Sequence, residues 1–153
     1  MGDRGENYLV AMALLAEHRR QLREGIELLT REGVQEKNFF YFFDAGEKIK
    51  DSIIGIVAGM LYGNGQLAPT KPIIALVDNK DGTLKASGRA TADLVRAGLN
   101  LGKIFKEMQT DLGEGTEGGG HRIAAGIKFP KEKKEQFLEI LDIRIKEQIK
   151  AHS

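Results

Sequence analysis

Two short uninterrupted apolar runs constrain this chain more than any other feature. Phe39-Phe40-Tyr41-Phe42-Phe43 and Ile73-Ile74-Ala75-Leu76-Val77 are aromatic or mostly branched aliphatic, with turn-forming residues between them. Such runs predict strands buried on both faces, over Asn38 to Phe43 and Pro72 to Asp78, which requires helices above and below a sheet. An aromatic run could also stack bases, but burial in a core is the plainer use of it. Between the runs, Ile53, Ile54, Ile56, Val57, Met60 and Leu61 predict a buried helix to about Tyr62, capped by Asp51 or Ser52. Gly55 and Gly59 fall four apart on that helix, a spacing that lets it lie close against a sheet.

After the second run, Asp81-Gly82 predicts a hairpin, so the next strand, Thr83 to Ala90, returns beside it. That strand alternates, with Lys85, Ser87 and Arg89 on one face and Leu84, Ala86 and Gly88 on the other. A helix from Leu101 to Leu112 carries the stripe Leu101, Ile104, Phe105, Met108 and Leu112. A glycine-rich loop leads to a strand ending at Phe129, and Pro130 opens a last amphipathic helix to about Lys150. At the other end, Tyr8, Met12, Leu15, Leu22, Ile26 and Leu29 predict one helix from Asn7 to Glu32, stopped by Gly33. A small domain can cover so long a helix only in part. Residues 1–33 therefore read as a connector and residues 34–153 as the domain. The expected class is α/β, a mixed sheet of four to five strands flanked by helices.

With 153 residues the chain is one domain's worth, and without cysteine it has neither disulfides nor thiolate metal sites. No apolar run approaches a membrane span and no secretory h-region is present, so we expect a cytoplasmic protein without membrane contact. A net charge of +1 argues against a broad basic face for duplex DNA, but leaves room for a narrow groove holding one strand or one nucleotide.

The chemistry concentrates in Glu117-Gly118-Gly119-Gly120-His121-Arg122, followed by the small residues Ala124-Ala125-Gly126. Three glycines let a ligand approach the backbone closely, beside an imidazole and a guanidinium. Lys85, Ser87 and Arg89 form a second polar group, with a planar fork and a hydroxyl suited to phosphate. The bland alternatives are a flexible glycine loop and the wet face of an edge strand. The candidate substrate-binding set is Lys85, Ser87, Arg89, Gly118, Gly119, Gly120, His121 and Arg122, with no metal ligands.

Taken in order, Ile53-Ile54-Gly55-Ile56-Val57-Ala58-Gly59, Pro72-Ile73-Ile74-Ala75-Leu76, Ala86-Ser87-Gly88-Arg89 and Gly118-Gly119-Gly120-His121 with Ala124-Ala125-Gly126 carry a resemblance. Over about Asn38 to Leu141 the chain resembles the DHH-associated C-terminal domain of the DHH phosphoesterases, in the RecJ-like exonuclease branch and its archaeal members. The resemblance implies a DNA-repair type of hydrolase with its active site between two domains. A separate DHH catalytic domain would hold manganese or magnesium, and this domain would bind single-stranded DNA or RNA, or a nucleotide. Ser87 and Arg89 would grip a phosphate, Gly118 to His121 would hold the terminal nucleotide, and His121 would assist near the scissile bond. Ala90 departs from the serine common in relatives. No Asp-His-His triplet occurs, and the histidines are only His18, His121 and His152. The resemblance thus implies the substrate-binding half of a nuclease, truncated or separately encoded and inert alone. Three alternatives stay open: a scaffold module contacting GINS-type replication proteins, a small stand-alone nucleotide phosphoesterase, and the related domain of alanyl-tRNA synthetases.

Overall fold

The computed structural model describes residues 2–46 and 51–152, and the side chains at Asp51 and Ser52, where a cap is expected, lie outside what is described. The helix α1 (Gly2–Glu32) leads through β1 (Gln35–Glu36) to β2 (Tyr41–Gly46), α2 (Asp51–Gly63) and β3 (Ile73–Asp78). Then follow β4 (Thr83–Arg89), α3 (Ala92–Arg96), α4 (Leu101–Leu112), β5 (Glu117–Gly120), β6 (Ala124–Pro130), a 3-10 turn (Lys131–Lys133) and α5 (Lys134–His152). One six-stranded sheet has the order β1-β2-β3-β4-β6-β5, parallel between β2 and β3 and antiparallel elsewhere. The chain is α/β with a mixed sheet, as its apolar runs imply.

Alternation along the strands divides the core in two. On one face Phe42, Ile74, Leu76, Leu84, Ala86, Ile127 and Phe129 meet α4 and α5, where Phe137 stacks on Phe129 at 4.4 Å. On the other, Tyr41, Phe43, Ile73 and Ala75 pack under Ile53, Ile54, Val57 and Leu61 of α2. That second cluster extends only over β2 and β3. Among the described residues this cluster takes in no side chain of β4, β6 or β5, and the candidate site lies on that face, which α2 meets at β4.

Several local expectations need correction. Glu117–Gly120 is an edge strand rather than a loop, paired from Glu117↔Lys128 to Gly120↔Ala125. Glycine carries no strand signal of its own. Here α4 selects it, because a β-carbon at Gly118 would stand 2.5 Å from the Phe105 carbonyl oxygen. β1 pairs over two residues only, and α3 is a five-residue turn capped by Thr91 Oγ1 accepting from Leu94 N at 3.2 Å. Both are too short for a periodicity to register. The helix α2 is not buried all round, since Ile56 and Met60 are exposed. Pro130 ends β6 rather than starting the last helix. In α1, Leu22 and Ile26 pack against the α2 cluster, whereas Tyr8, Leu9, Met12, Leu14 and Leu15 stand exposed.

Candidate functional site

Register places the polar face of β4. Ser87 lies opposite Gly126, which lies opposite Gly119, so one row of small residues crosses β4, β6 and β5. With neighbouring strands about 4.8 Å apart, this bare row is roughly 10 Å long. Lys85 and Lys128 pair on one side of it, and Arg89 and Ala124 pair on the other. Lys85, Ser87, Arg89, Gly119 and Gly120 line a single hollow of about 210 Å³ with Ala124, Ala125 and Gly126. Ser87 is buried at its floor, 2% exposed, and Arg89 is half-buried, its Nη1 donating to the Gly88 carbonyl at 2.8 Å.

The rest of the glycine motif is divided. Gly118 turns its missing side chain towards α4, away from the hollow. His121 and Arg122 lie in the turn that joins β5 to β6, a turn tied on two sides. His121 N donates to Ala124 O at 2.9 Å, and the His121 carbonyl accepts from Gly102 N of α4 at 3.1 Å. Leu101 N donates to Arg122 O at 3.0 Å, and Ala90 N, just past β4, donates to Ile123 O at 2.9 Å. The His121 side chain is exposed and does not line the hollow. Arg122 lines a different depression, of about 570 Å³, beside Lys103, Glu107 and Arg144. There Arg144 is already engaged: its Nε and Nη2 reach Asp111 at 2.5 and 2.8 Å, and these hydrogen bonds raise its pKa further.

Ala124, Ala125 and Gly126 line the hollow although sequence reading did not place them among the site residues. Their place in the hollow comes from strand register, which sets Gly126 opposite Ser87 and Ala124 opposite Arg89. Among the described residues no three His, Asp or Glu side chains converge as metal ligands, so these residues do not fit a two-metal centre.

The molecule is thus an α/β domain with one sheet face covered and the other half open over a small hollow lined by Lys85 and Arg89. The model of the DHHA1 domain matches residues 36–147, and the chain belongs to that family. It is similar to the uncharacterized protein MJ0831 of Methanocaldococcus jannaschii, 33% identical over 120 residues, covering 76% of this chain and 24% of that protein. Its fold is similar to the DHH-domain structure PF0399, titled a member of the s1p family of ribosomal proteins (TM-score 0.65, 22% identity, 95% of this chain and 35% of that one). It is likewise similar to RecJ of Thermus thermophilus in complex with Mg2+ (TM-score 0.61, 17% identity, 89% and 19%). The chain spans about a quarter of the curated relative it matches and about a third or less of these two structures.

Proposed function

We propose that this chain is the nucleic-acid- or nucleotide-binding module of a RecJ-like DHH phosphoesterase, a single-strand exonuclease of DNA repair in an archaeal cytoplasm. The observation that carries this is the hollow itself. Lys85, Ser87 and Arg89 share it with Gly119 and Gly120, which combines cations, a hydroxyl and a backbone free of side chains. A phosphate entering there meets Arg89 on the α2 side and the bare glycine row beyond Ser87. His121, in the turn two residues beyond Gly119, would reach a phosphate oxygen near the bond to be cut. Membership of the DHHA1 family supports this reading, as does the fold shared with RecJ.

The bond would be broken by manganese or magnesium held in a DHH catalytic domain, which this sequence does not contain. Residues 1–33 would connect to it, and the exposed Tyr8, Leu9, Met12 and Leu14 of α1 would supply contact surface for that domain or for GINS-type replication proteins.

The test is a titration of labelled single-stranded oligonucleotide at low salt. We expect weak, salt-sensitive binding, because few cations contribute. Arg89→Ala should weaken it by about 1–3 kcal/mol, the value of a charged hydrogen bond. Superimposable curves for variant and parent would remove Arg89 from the site.

A further inference from the structure

We infer that Gly55 and Gly126 are positioning residues, kept free of a β-carbon so that Arg89 and Lys85 can stand where a phosphate in the hollow needs them. This rests on the reading of the hollow given above. A β-carbon at Gly55 would lie 2.6 Å from Arg89 Nε, 3.1 Å from Nη2 and 3.2 Å from Cζ. One at Gly126 would lie 2.9 Å from Lys85 Cε and 3.4 Å from Nζ. The two binding cations are thus each laid across a glycine, one on α2 and one on β6.

What each glycine would strike decides its role. At Gly102, Gly118 and Gly120 the nearest obstacles are backbone atoms, at 2.2, 2.5 and 2.7 Å, so those glycines serve the packing of α4 and the pairing of β5 with β6. At Gly55 and Gly126 the nearest obstacles are the far ends of long side chains, which can swing aside. Neither position has a positive φ, so alanine fits the backbone at both. Within α2 alanine is also the better helix former. Substitution should therefore leave the fold standing and move the cation. Gly59, one turn along α2 from Gly55, has nothing within 4 Å of where a β-carbon would stand and serves as the control. The Gly-x-x-x-Gly spacing thus divides its labour, with Gly55 clearing a guanidinium and Gly59 facing open space.

The experiment is a double-mutant cycle on the whole chain. The probe is a fluorescein-labelled oligothymidylate carrying a terminal phosphate, followed by anisotropy at several salt concentrations. Gly55→Ala and Arg89→Ala should each weaken binding about tenfold, and the double variant should be no weaker than Arg89→Ala alone. Both single variants should lose about 0.7 from the slope of log affinity against log salt, the signature of one lost phosphate contact. A merely structural change would not produce that loss. Gly59→Ala should match the parent, and the Gly126→Ala and Lys85→Ala cycle should repeat the pattern. If Gly55→Ala fails to fold, this second cycle decides the matter by the same outcomes.

Parental binding by Gly55→Ala alongside weakened binding by Arg89→Ala would overturn the inference and leave the site reading intact. So would losses that simply multiply in the double variant. Parental binding by Arg89→Ala itself would overturn both.

Discussion

Gly102→Ala should cost the chain about 3 kcal/mol of stability, the upper end for one methylene forced into a packed interior. At an exposed position inside a helix the same change would stabilise by about 1 kcal/mol, so the expected sign is opposite to helix propensity. The reason is local. Gly102 lies in the first turn of α4, and its N–H donates to the carbonyl of His121 at 3.1 Å. A β-carbon there would stand 2.2 Å from the Gly120 carbonyl oxygen and 2.7 Å from its carbon, with no flexible side chain to give way. Either α4 lifts from β5 or the β5–β6 turn opens, and each move breaks the hydrogen bonds to His121 and Arg122. Urea unfolding should show a lower midpoint with an unchanged slope. Oligonucleotide binding should fall as well, because Gly119 and Gly120 line the hollow from the displaced strand. A variant as stable as the parent would mean that helix and strand slide apart at little cost, and that the turn is not held by α4.

The parts of the fold legible in the sequence are those that bury long side chains in a regular pattern. Ile73 to Val77 announces a strand because it is a short continuous apolar run, buried from Ile73 to Leu76, and the stripe Leu101, Ile104, Phe105, Met108 and Leu112 announces a helix because burial repeats every three to four residues. Leu101–Leu112 is helical from end to end. Glu117–Gly120 shows the limit. Three glycines carry no pattern, and the strand exists because β6 pairs with it and α4 presses on it, contacts set by residues elsewhere in the chain. Phe39 and Phe40 mark the same limit from the other side, since they are as aromatic as Phe42 but precede the strand. Phe39 N instead donates to Asp142 Oδ1 of α5, at 3.0 Å.

Legibility of the candidate site follows the same division. Lys85, Ser87 and Arg89 could be placed on one face from alternation alone, and the strand pairing sets them on one side of the sheet. Gly119 belongs to the candidate set, but its place in one row with Gly126 and Ser87 comes from register, which depends on how distant segments align. Arg122 illustrates the converse error. It adjoins His121 in the chain, yet it lines the depression beside Arg144 and not the hollow beside Arg89. Adjacency in a tight turn sends consecutive side chains apart, so a motif read as one unit serves two surfaces.

Incubated with manganese, this chain alone should leave a labelled single strand intact, and mixing it with a DHH catalytic domain should bring cleavage. Two-metal hydrolysis needs several carboxylate and imidazole ligands converging on ions about 4 Å apart. The sequence holds only His18, His121 and His152, and no three candidate ligands converge among the described residues. His18 lies within α1, whereas His121 ends the glycine strand with both its N–H and its carbonyl hydrogen-bonded. A backbone so held fixes where His121 leaves the sheet, outside the hollow, and its exposed imidazole can meet a strand presented by the second domain. In the reconstituted enzyme His121→Ala should therefore lower kcat by about 10²-fold, the value of one donor aimed at developing charge, with a smaller change in KM. Arg89→Ala should do the reverse, raising KM with less effect on kcat, because its phosphate contact is present before and during the reaction. Single-turnover and steady-state kinetics on the two variants separate these roles. Cleavage by the purified chain alone that survives repurification and vanishes in His121→Ala would establish a complete small phosphoesterase and overturn the binding-module reading.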